Sequence, residues 1–318
     1  MTLLFWLSSL LVIYIYIGYP ILLRFLPKKS LNIHYQNMNQ PLVTVLIPAF
    51  NEARVIEGTI RNKLSQNYPA DLIEIIVISD ESEDGTDEIV NGISAEDSRV
   101  NLIRQVPRQG KTSGLNLAMS QAKGEIIIFS DANGHYETNA ISNLVACFSD
   151  PQVGYVTGKM IYVNSDGSII GDGCSAYMKY ENHMRALETE VESVVGVDGG
   201  IDAIRKNLYQ PMNADQLPDF VLPLKVVTQG KRVIYCDKAL LNEESLSTSQ
   251  SEFRMRVRVS LRAYWAMWDM KHLFNPFNYG IFTLQLVSHK LLRYLAFIPL
   301  LLAFISNGKQ CLPCPWRA

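Results

Sequence analysis

Between residues 43 and 158 short apolar runs alternate with stretches of helical period, and this alternation restricts the chain to one class of fold. "VTVLIP" (43 to 48) is a β-rich run closed by Pro48. The stretch after it, "NEARVIEGTIRNKLSQ", repeats apolar residues at 55, 56, 60 and 64, the spacing of one helical face. "IEIIVIS" (73 to 79) is a continuous apolar strand, and a helix starts from Gly85. "VNLIR" (100 to 104), "EIIIFS" (125 to 130) and "VGYVTG" (153 to 158) read as further strands, with helices at 111 to 122 and 138 to 149 between them. Strands joined by helices form βαβ units and a mostly parallel sheet covered on both faces, an α/β fold. Such sheets bind ligands beyond the carboxyl ends of their strands.

Three of those ends carry informative residues. The first strand runs through Pro48 into Asn51 and Glu52; the second ends on Asp80; the strand at 125 to 130 ends on Asp131, with Asn133 two residues on. In a parallel sheet all three groups share one edge. Each alone reads as a helix N-cap, where Asp, Ser and Asn are favoured. Together they suit a nucleoside diphosphate. A carboxylate accepts from a base imide or a ribose hydroxyl, and Asp131 suits Mg²⁺ or Mn²⁺, hard cations that take oxygen ligands and substrate phosphates. "QGKTSG" (109 to 114) mimics half a P-loop, but the full motif needs glycine where Gln105 stands, which argues against an NTPase.

"VLIPAFNEARVIEGTIRNKLSQNYP" and "IEIIVISDESEDGTDEI", followed by "RQGKTSGLNLAM" and "GEIIIFSDAN", resemble the inverting family 2 glycosyltransferases. The closer resemblance is to their membrane-anchored branch of cellulose, hyaluronan and poly-N-acetylglucosamine synthases, and it covers roughly residues 41 to 265. It implies a GT-A fold, Rossmann-like with a mostly parallel sheet, and a nucleotide-sugar donor, UDP-linked. In that frame Pro48, Asn51, Glu52, Asp80, Lys111 and Asp131 bind the donor. Asp80 contacts the nucleoside, Lys111 lies near uracil or phosphate, and Asp131 is the metal aspartate. The family's Asp-x-Asp becomes Asp-x-Asn here. The Asn133 amide oxygen can still ligate Mg²⁺ or Mn²⁺, without charge and so more weakly.

Inversion needs a general base. "NADQLPDFVLPLKVVTQGKRVIY" offers Asp215 and Asp219. Phe220, Leu222, Leu224, Gly230, Arg232 and Tyr235 match the family pattern in register, which places the base at Asp219, with Pro218 where an acidic residue usually stands. Gly199 and Gly200 resemble the segment under the acceptor sugar; a simple turn is the alternative. "SEFRMRVRVSLRAYWAMW" falls where polymerising members carry Gln-x-x-Arg-Trp. Arg258 aligns with the arginine, and Met255 and Val259 replace its partners. Arg254, Arg258 and Arg262 form one helical stripe, suited to a diphosphate or to anionic lipid, and Trp265 and Trp268 suit an acceptor channel or the membrane interface. The implied reaction adds sugar to a growing polysaccharide. Alternatives are a single transfer to a lipid-phosphate acceptor and a catalytically silent binding subunit.

The ends of the chain point to a membrane. Residues 3 to 23 carry no charge, and ~20 residues cross ~30 Å of hydrocarbon. Arg24, Lys28 and Lys29 follow, which puts the downstream chain in the cytoplasm under the positive-inside rule. A signal peptide would place its basic residues before the apolar run. The expected organisation is an anchor at 1–29, a linker at 30–41, a glycosyltransferase domain at 42–272, and an interfacial helix with a shortened membrane segment at 273–318. Residues 286 to 295 read as an amphipathic interfacial helix, and 294 to 305 are too few to span. The chain therefore reads as a truncated form of an integral protein of the cytoplasmic membrane, with an incomplete polymer channel. A net charge of -2 leaves no basic field for nucleic acid. Cys311 and Cys314 have CxxC spacing but no second pair, and a cytoplasmic domain keeps thiols reduced.

Overall fold

The computed structural model describes residues 2–35, 40–163, 173–244 and 249–308. Cys311 and Cys314 lie outside the described residues, as do the side chains of Arg254 and Arg258. The strands are β1 (Val43–Ala49), β2 (Ile73–Ser79), β3 (Val100–Arg104), β4 (Ile126–Ser130), β5 (His135–Tyr136), β6 (Val153–Val163), β7 (Ile201–Arg205) and β8 (Arg232–Glu244). They form one sheet in the order β3-β2-β1-β4-β7-β6-β8-β5.

Side chains on a strand alternate between its two faces, and here that alternation divides the core in two. Val43, Val45, Ile47, Ile75, Val77 and Ile128 pack under the helices Ile56–Leu64, Thr86–Glu96 and Ala140–Cys147. Leu46, Ile76, Ile78, Ile127 and Phe129 pack under the helices Lys111–Met119, Pro218–Thr228 and Ser249–Asp269. The central strands are apolar on both faces because both faces are covered.

β1, β2, β3 and β4 are mutually parallel, as the alternation predicts. β7 is not: it pairs antiparallel with β4, Ser130 opposite Ile201, and antiparallel with β6. The apolar run after Gly200 carries no hairpin turn that would have announced its direction. β8 pairs parallel with β6. The sheet is therefore mixed, and β7 starts on the edge where β1, β2 and β4 end. The expected linker is also partly docked. Leu31 and Ile33 pack on the core, and the Asn32 and His34 N–H groups donate to Asp150 and Ser149 at 2.9 and 2.8 Å.

The N-terminal helix, Thr2–Phe25, is long and apolar enough to cross a membrane. Tyr19 and Leu23 are buried against Met184, Leu187 and Val191 of the helix Gly173–Val191. Leu3, Trp6, Leu7 and Leu10 are exposed, and that half packs beside the helix Phe297–Gly308, whose Leu300, Leu301 and Phe304 are exposed as well. Between residues 281 and 307 two helical segments meet at a 54° bend. The first, Ile281–Tyr294, buries Phe282, Leu286 and His289 in the protein, where amphipathicity alone had suggested a membrane surface.

Asp202 is fully buried near the start of β7. Its Oδ2 accepts from the Tyr155 hydroxyl at 2.9 Å and from the Gly199 N–H at 3.1 Å. Burial lifts its pKa from 3.8 to about 7; Asp219 and Asp198 push the same way, and the Thr157 and Tyr155 hydroxyls oppose. A carboxyl whose pKa rises on folding stabilises the fold below its unfolded value. That contribution is lost as pH climbs to about 7. Asp202→Asn should therefore raise the melting temperature above that of the native protein at about pH 8, by the equivalent of ~1–3 kcal/mol, and leave it unchanged near pH 4. Thermal denaturation at both pH values tests this, and equal melting curves at about pH 8 would refute it.

Candidate active site

The loops leaving β1 and β2 are tied to each other. Asn51 has a φ of 57°, the left-handed region that asparagine tolerates. Its N–H donates to Ser82 Oγ at 3.1 Å and its Oδ1 accepts from the Glu83 N–H at 2.9 Å. The Glu52 N–H donates to Thr86 Oγ1 at 2.9 Å. The Glu52 carboxyl pKa is raised by burial, then by Asp84 and Asp131. Pro48, half-buried, sits opposite Ile78 in the β1–β2 ladder.

Asp80 is buried at the end of β2, and its carboxylate gathers the loop that precedes Lys111. Oδ1 accepts from Gln105 Nε2 at 2.5 Å and the Gln109 N–H at 2.9 Å; Oδ2 accepts from the Gly110 N–H at 3.0 Å. Arg108 reaches Oδ2 at 3.4 Å, and its guanidinium lies 3.4 Å from the centre of the Phe50 ring. The aspartate thus shapes the entry to the helix Lys111–Met119, and Gln105, a misfit for a P-loop, is one of its donors.

Three of the predicted residues converge. Lys111 Nζ is 2.8 Å from Asp131 Oδ1 and 3.8 Å from Asp219 Oδ1. Each of the three side chains is about a third exposed, so a ligand can reach them. Burial alone would lower the Lys111 pKa, but Asp131 and Asp219 outweigh it and hold the ammonium charged. The Asp219 pKa is raised by burial and by Asp131 and Asp198, with Lys111 opposing.

Gly199 and Gly200 back these two carboxylates. Gly199 has a φ of +86°, and a Cβ there would lie 2.5 Å from the Asp219 carboxyl carbon. A Cβ on Gly200 would lie 3.3 Å from Asp131 Oδ2. Close approach of backbone to a working group is where glycine is needed. The loop is held from behind: the Asp198 N–H donates to Thr157 Oγ1, and the Asp198 carboxylate accepts from Arg185 at 2.6 Å.

Asn133 is exposed, and its Nδ2 is 3.5 Å from Glu243 Oε1; among the described residues nothing bonds its amide oxygen. The Glu243 pKa rises to about 7, through burial and then Asp131. The donors at this edge are carboxylate and amide oxygens, a set that fits a hard divalent cation. Among the described residues no three His, Cys, Asp or Glu side chains close a metal site on their own. A cation held by Asp131 and Asn133 would take its remaining ligands from substrate phosphate and water.

Asp215 is exposed and makes no part of this group. Arg258 cannot be placed, because its side chain lies outside those described. Arg262, Trp265 and Trp268 are exposed on the helix Ser249–Asp269. Several residues of the site went unread in the sequence. Lys63, on the helix Ile56–Leu64, is buried under the loop that follows Asp131 and donates to the Gly134 carbonyl at 2.5 Å. Arg185, Asp198, Asp202 and Glu243 belong here too. Asp198 and Asp202 flank the glycine pair in "VDGGID", which was the available signal; Lys63, Arg185 and Glu243 have none. A cavity of about 1170 Å³ lies at the opposite sheet edge. Its Lys123 and Arg205 are committed to Glu74 and to the Val153 and Phe148 carbonyls, and it gathers none of these carboxylates.

Comparison with known proteins identifies the family. The family model for glycosyl transferase family 2 matches residues 44–209. The chain is similar to the probable glycosyltransferase YdaM of Bacillus subtilis (strain 168), 28% identical over 238 residues, which cover 70% of this chain and 56% of that protein. It thus spans about half the length of that relative. It is 34% identical over 196 residues to the UDP-Glc:alpha-D-GlcNAc-diphosphoundecaprenol beta-1,3-glucosyltransferase WfaP of Escherichia coli, covering 59% of this chain and 71% of that one. Among solved structures, the mannosyltransferase PcManGT from Pyrobaculum calidifontis in complex with GDP-Man and Mn2+ superposes with a TM-score of 0.75. It is 22% identical, and the match covers 96% of this chain and 87% of that one, a likeness of GT-A fold. From β1 through the glycine pair to the end of β7, the matched region contains Asp80, Lys111, Asp131 and the backing of Asp219, and the chain belongs to glycosyl transferase family 2.

Proposed function

We propose that the protein transfers a sugar, with inversion, from a nucleoside diphosphate sugar to a lipid-linked acceptor at a membrane. UDP is the nucleotide we favour. The convergence of Asp131 and Asp219 on Lys111, from the end of β4 and the start of a distant helix, carries this reading. Pro48, Asn51, Glu52 and Asp80 would form the nucleoside end, with Asp80 acting also through the loop it shapes. Lys111 would offer its charge to the diphosphate. The acceptor would lie over Gly199 and Gly200, beside Asp219.

In the reaction an acceptor oxygen attacks the anomeric carbon from the face opposite the diphosphate. The new carbon–oxygen bond forms as the bond to the diphosphate breaks, and Asp219 takes the acceptor's proton. Its raised pKa suits that role, since a more basic carboxylate draws the proton more strongly. Asp131 and Asn133 would hold Mg²⁺ or Mn²⁺. When bound, such a cation supplies Lewis-acid neutralisation of charge on the departing diphosphate. The relatives favour a lipid-linked acceptor over the polysaccharide the sequence suggested: one is named for a diphosphoundecaprenol acceptor and another is a beta-monoglucosyldiacylglycerol synthase. An apolar helix long enough to cross a membrane is in keeping with such substrates.

Three substitutions test the assignment, read by UDP release from a nucleotide-sugar panel with Mn²⁺ or Mg²⁺. Asp219→Asn should lower turnover by about 10²-fold or more, as loss of a general base does, with UDP affinity retained; turnover near the native rate would exclude Asp219. Gly199→Ala drives a methyl group into the Asp219 carboxyl and strains a left-handed backbone. It should cost about 10²-fold in turnover through misplacement of the base, and unchanged kinetics would show that the close packing is irrelevant. Asn133→Asp should lower the metal concentration giving half-maximal release, because it adds a charge to the donor set. An unaltered metal titration would mean that residue 133 is no ligand.

A further inference from the structure

A cavity of about 700 Å³ opens where the N-terminal helix, the helix Gly173–Val191 and the helix Ile281–Tyr294 meet. Tyr16, Tyr177, Tyr180 and Tyr294 line it, together with Lys290 and Arg293. It lies at a boundary. On one side Tyr19 and Leu23 are buried in the catalytic domain; on the other, Leu3, Leu7 and Leu10 stand exposed beside Leu300, Leu301 and Phe304. Those two exposed helical stretches are 12 residues each, about 18 Å long. A cavity with Lys290 and Arg293 in its wall, at the head of an apolar track of this length, matches an amphiphile.

The charges in the cavity wall do not cancel residue by residue. Glu181 pairs with Arg293 and lies 3.4 Å from His289 Nε2. Glu188 accepts from the Tyr19 hydroxyl at 2.8 Å and meets His289 Nδ1 at 2.7 Å. Lys290 differs. Among the described residues, no hydrogen bond or ion pair within 4 Å engages its ammonium. Its neighbours are the Phe220 ring, with Nζ 5.9 Å from the centre, and the backbone of Gly196, where a Cβ would lie 2.3 Å from Nζ. Phe220 follows Asp219 directly, and Gly196 is three residues before Gly199, which packs on Asp219. Lys290 therefore joins the cavity wall to the loop and helix that carry the proposed base.

We infer that this cavity binds the phosphate of the lipid-linked acceptor, with Lys290 as its charge partner and the tail running along the exposed helices. This assignment rests on the transfer reading above and gives it an acceptor subsite.

The test uses the full chain in detergent, with binding measured separately from turnover. The probes are a short-chain polyprenyl phosphate, the matching polyprenol, phosphatidylglycerol and inorganic phosphate. The native protein should hold polyprenyl phosphate about tenfold or more tighter than polyprenol, as a charged hydrogen-bonded contact warrants. Lys290→Gln should lose that preference, Lys290→Arg should keep most of it, and UDP affinity should be the same in all three. Equal binding of polyprenol, or an unaffected Lys290→Gln, would overturn the phosphate site. Displacement by phosphatidylglycerol at equal concentration would make it a site for bulk lipid and overturn the acceptor role. Displacement by inorganic phosphate at matched concentration would overturn the lipid's part in it. Lipid binding as expected, with no UDP release from any nucleotide sugar, would instead sink the transfer reading and the acceptor role with it. Should Lys290→Gln fail to fold, Lys290→Arg against the polyprenol comparison still decides.

Discussion

The antiparallel pairing of β7 with β4 is the constraint on which the site depends. Ser130 sits opposite Ile201, so the residue after β4 and the residues before β7 occupy the same edge. Asp131 and the pair Gly199–Gly200 are thereby brought together across a long sequence separation. A parallel β7 would have sent the glycines to the far edge. The Tyr136 hydroxyl strengthens the junction by donating to the Phe129 and Gly200 carbonyls at 2.9 and 3.0 Å. Backbone at such a junction tolerates no loose polar groups, and here the Tyr136 side chain of β5 meets two of its carbonyls.

Around that junction the protein concentrates like charge. Burial raises the pKa values of Asp202, Asp219 and Glu243, and the nearby carboxylates of Asp131, Asp198 and Asp219 add to the effect. Lys111 and Arg185 offset part of the repulsion. Like carboxylates held close under partial burial have raised pKa values, a state that suits proton acceptance and cation binding. Perturbed groups of this kind gather at functional sites. The cost in stability falls on the folded state, and Asp202 is its clearest bearer.

The N-terminal helix and Ile281–Tyr294 are joined to this site more closely than an anchor and a linker would be. The second half of the N-terminal helix is part of a buried cluster with Met184, Leu187 and Val191. The same helix Gly173–Val191 supplies Arg185 to Asp198, and Asp198 adjoins the glycine pair. Glu188 of that helix is buried between Tyr19 and His289, and so links the N-terminal helix to Ile281–Tyr294. One helix thus touches the N-terminal helix, Ile281–Tyr294 and the loop of the glycine pair.

Much of this was legible in the chain itself. Strand–helix alternation determined the α/β class, and the polar residues at strand ends determined which edge to examine. These are local signals, because periodicity and strand-end chemistry are written within a few residues. Beyond these local signals, the match of Phe220, Leu222 and Leu224 to the family pattern singled out Asp219. The direction of β7, the burial of Lys63, and the partnership of Arg185 with Asp198 were not legible, nor was the place of Glu243 beside Asn133. Each depends on residues far apart in sequence whose meeting is set by sheet order and packing. The sequence by itself determined the elements and the chemistry each could carry; the tertiary structure decided which of those groups meet, because strand order and direction are properties of long-range pairing that no short stretch encodes.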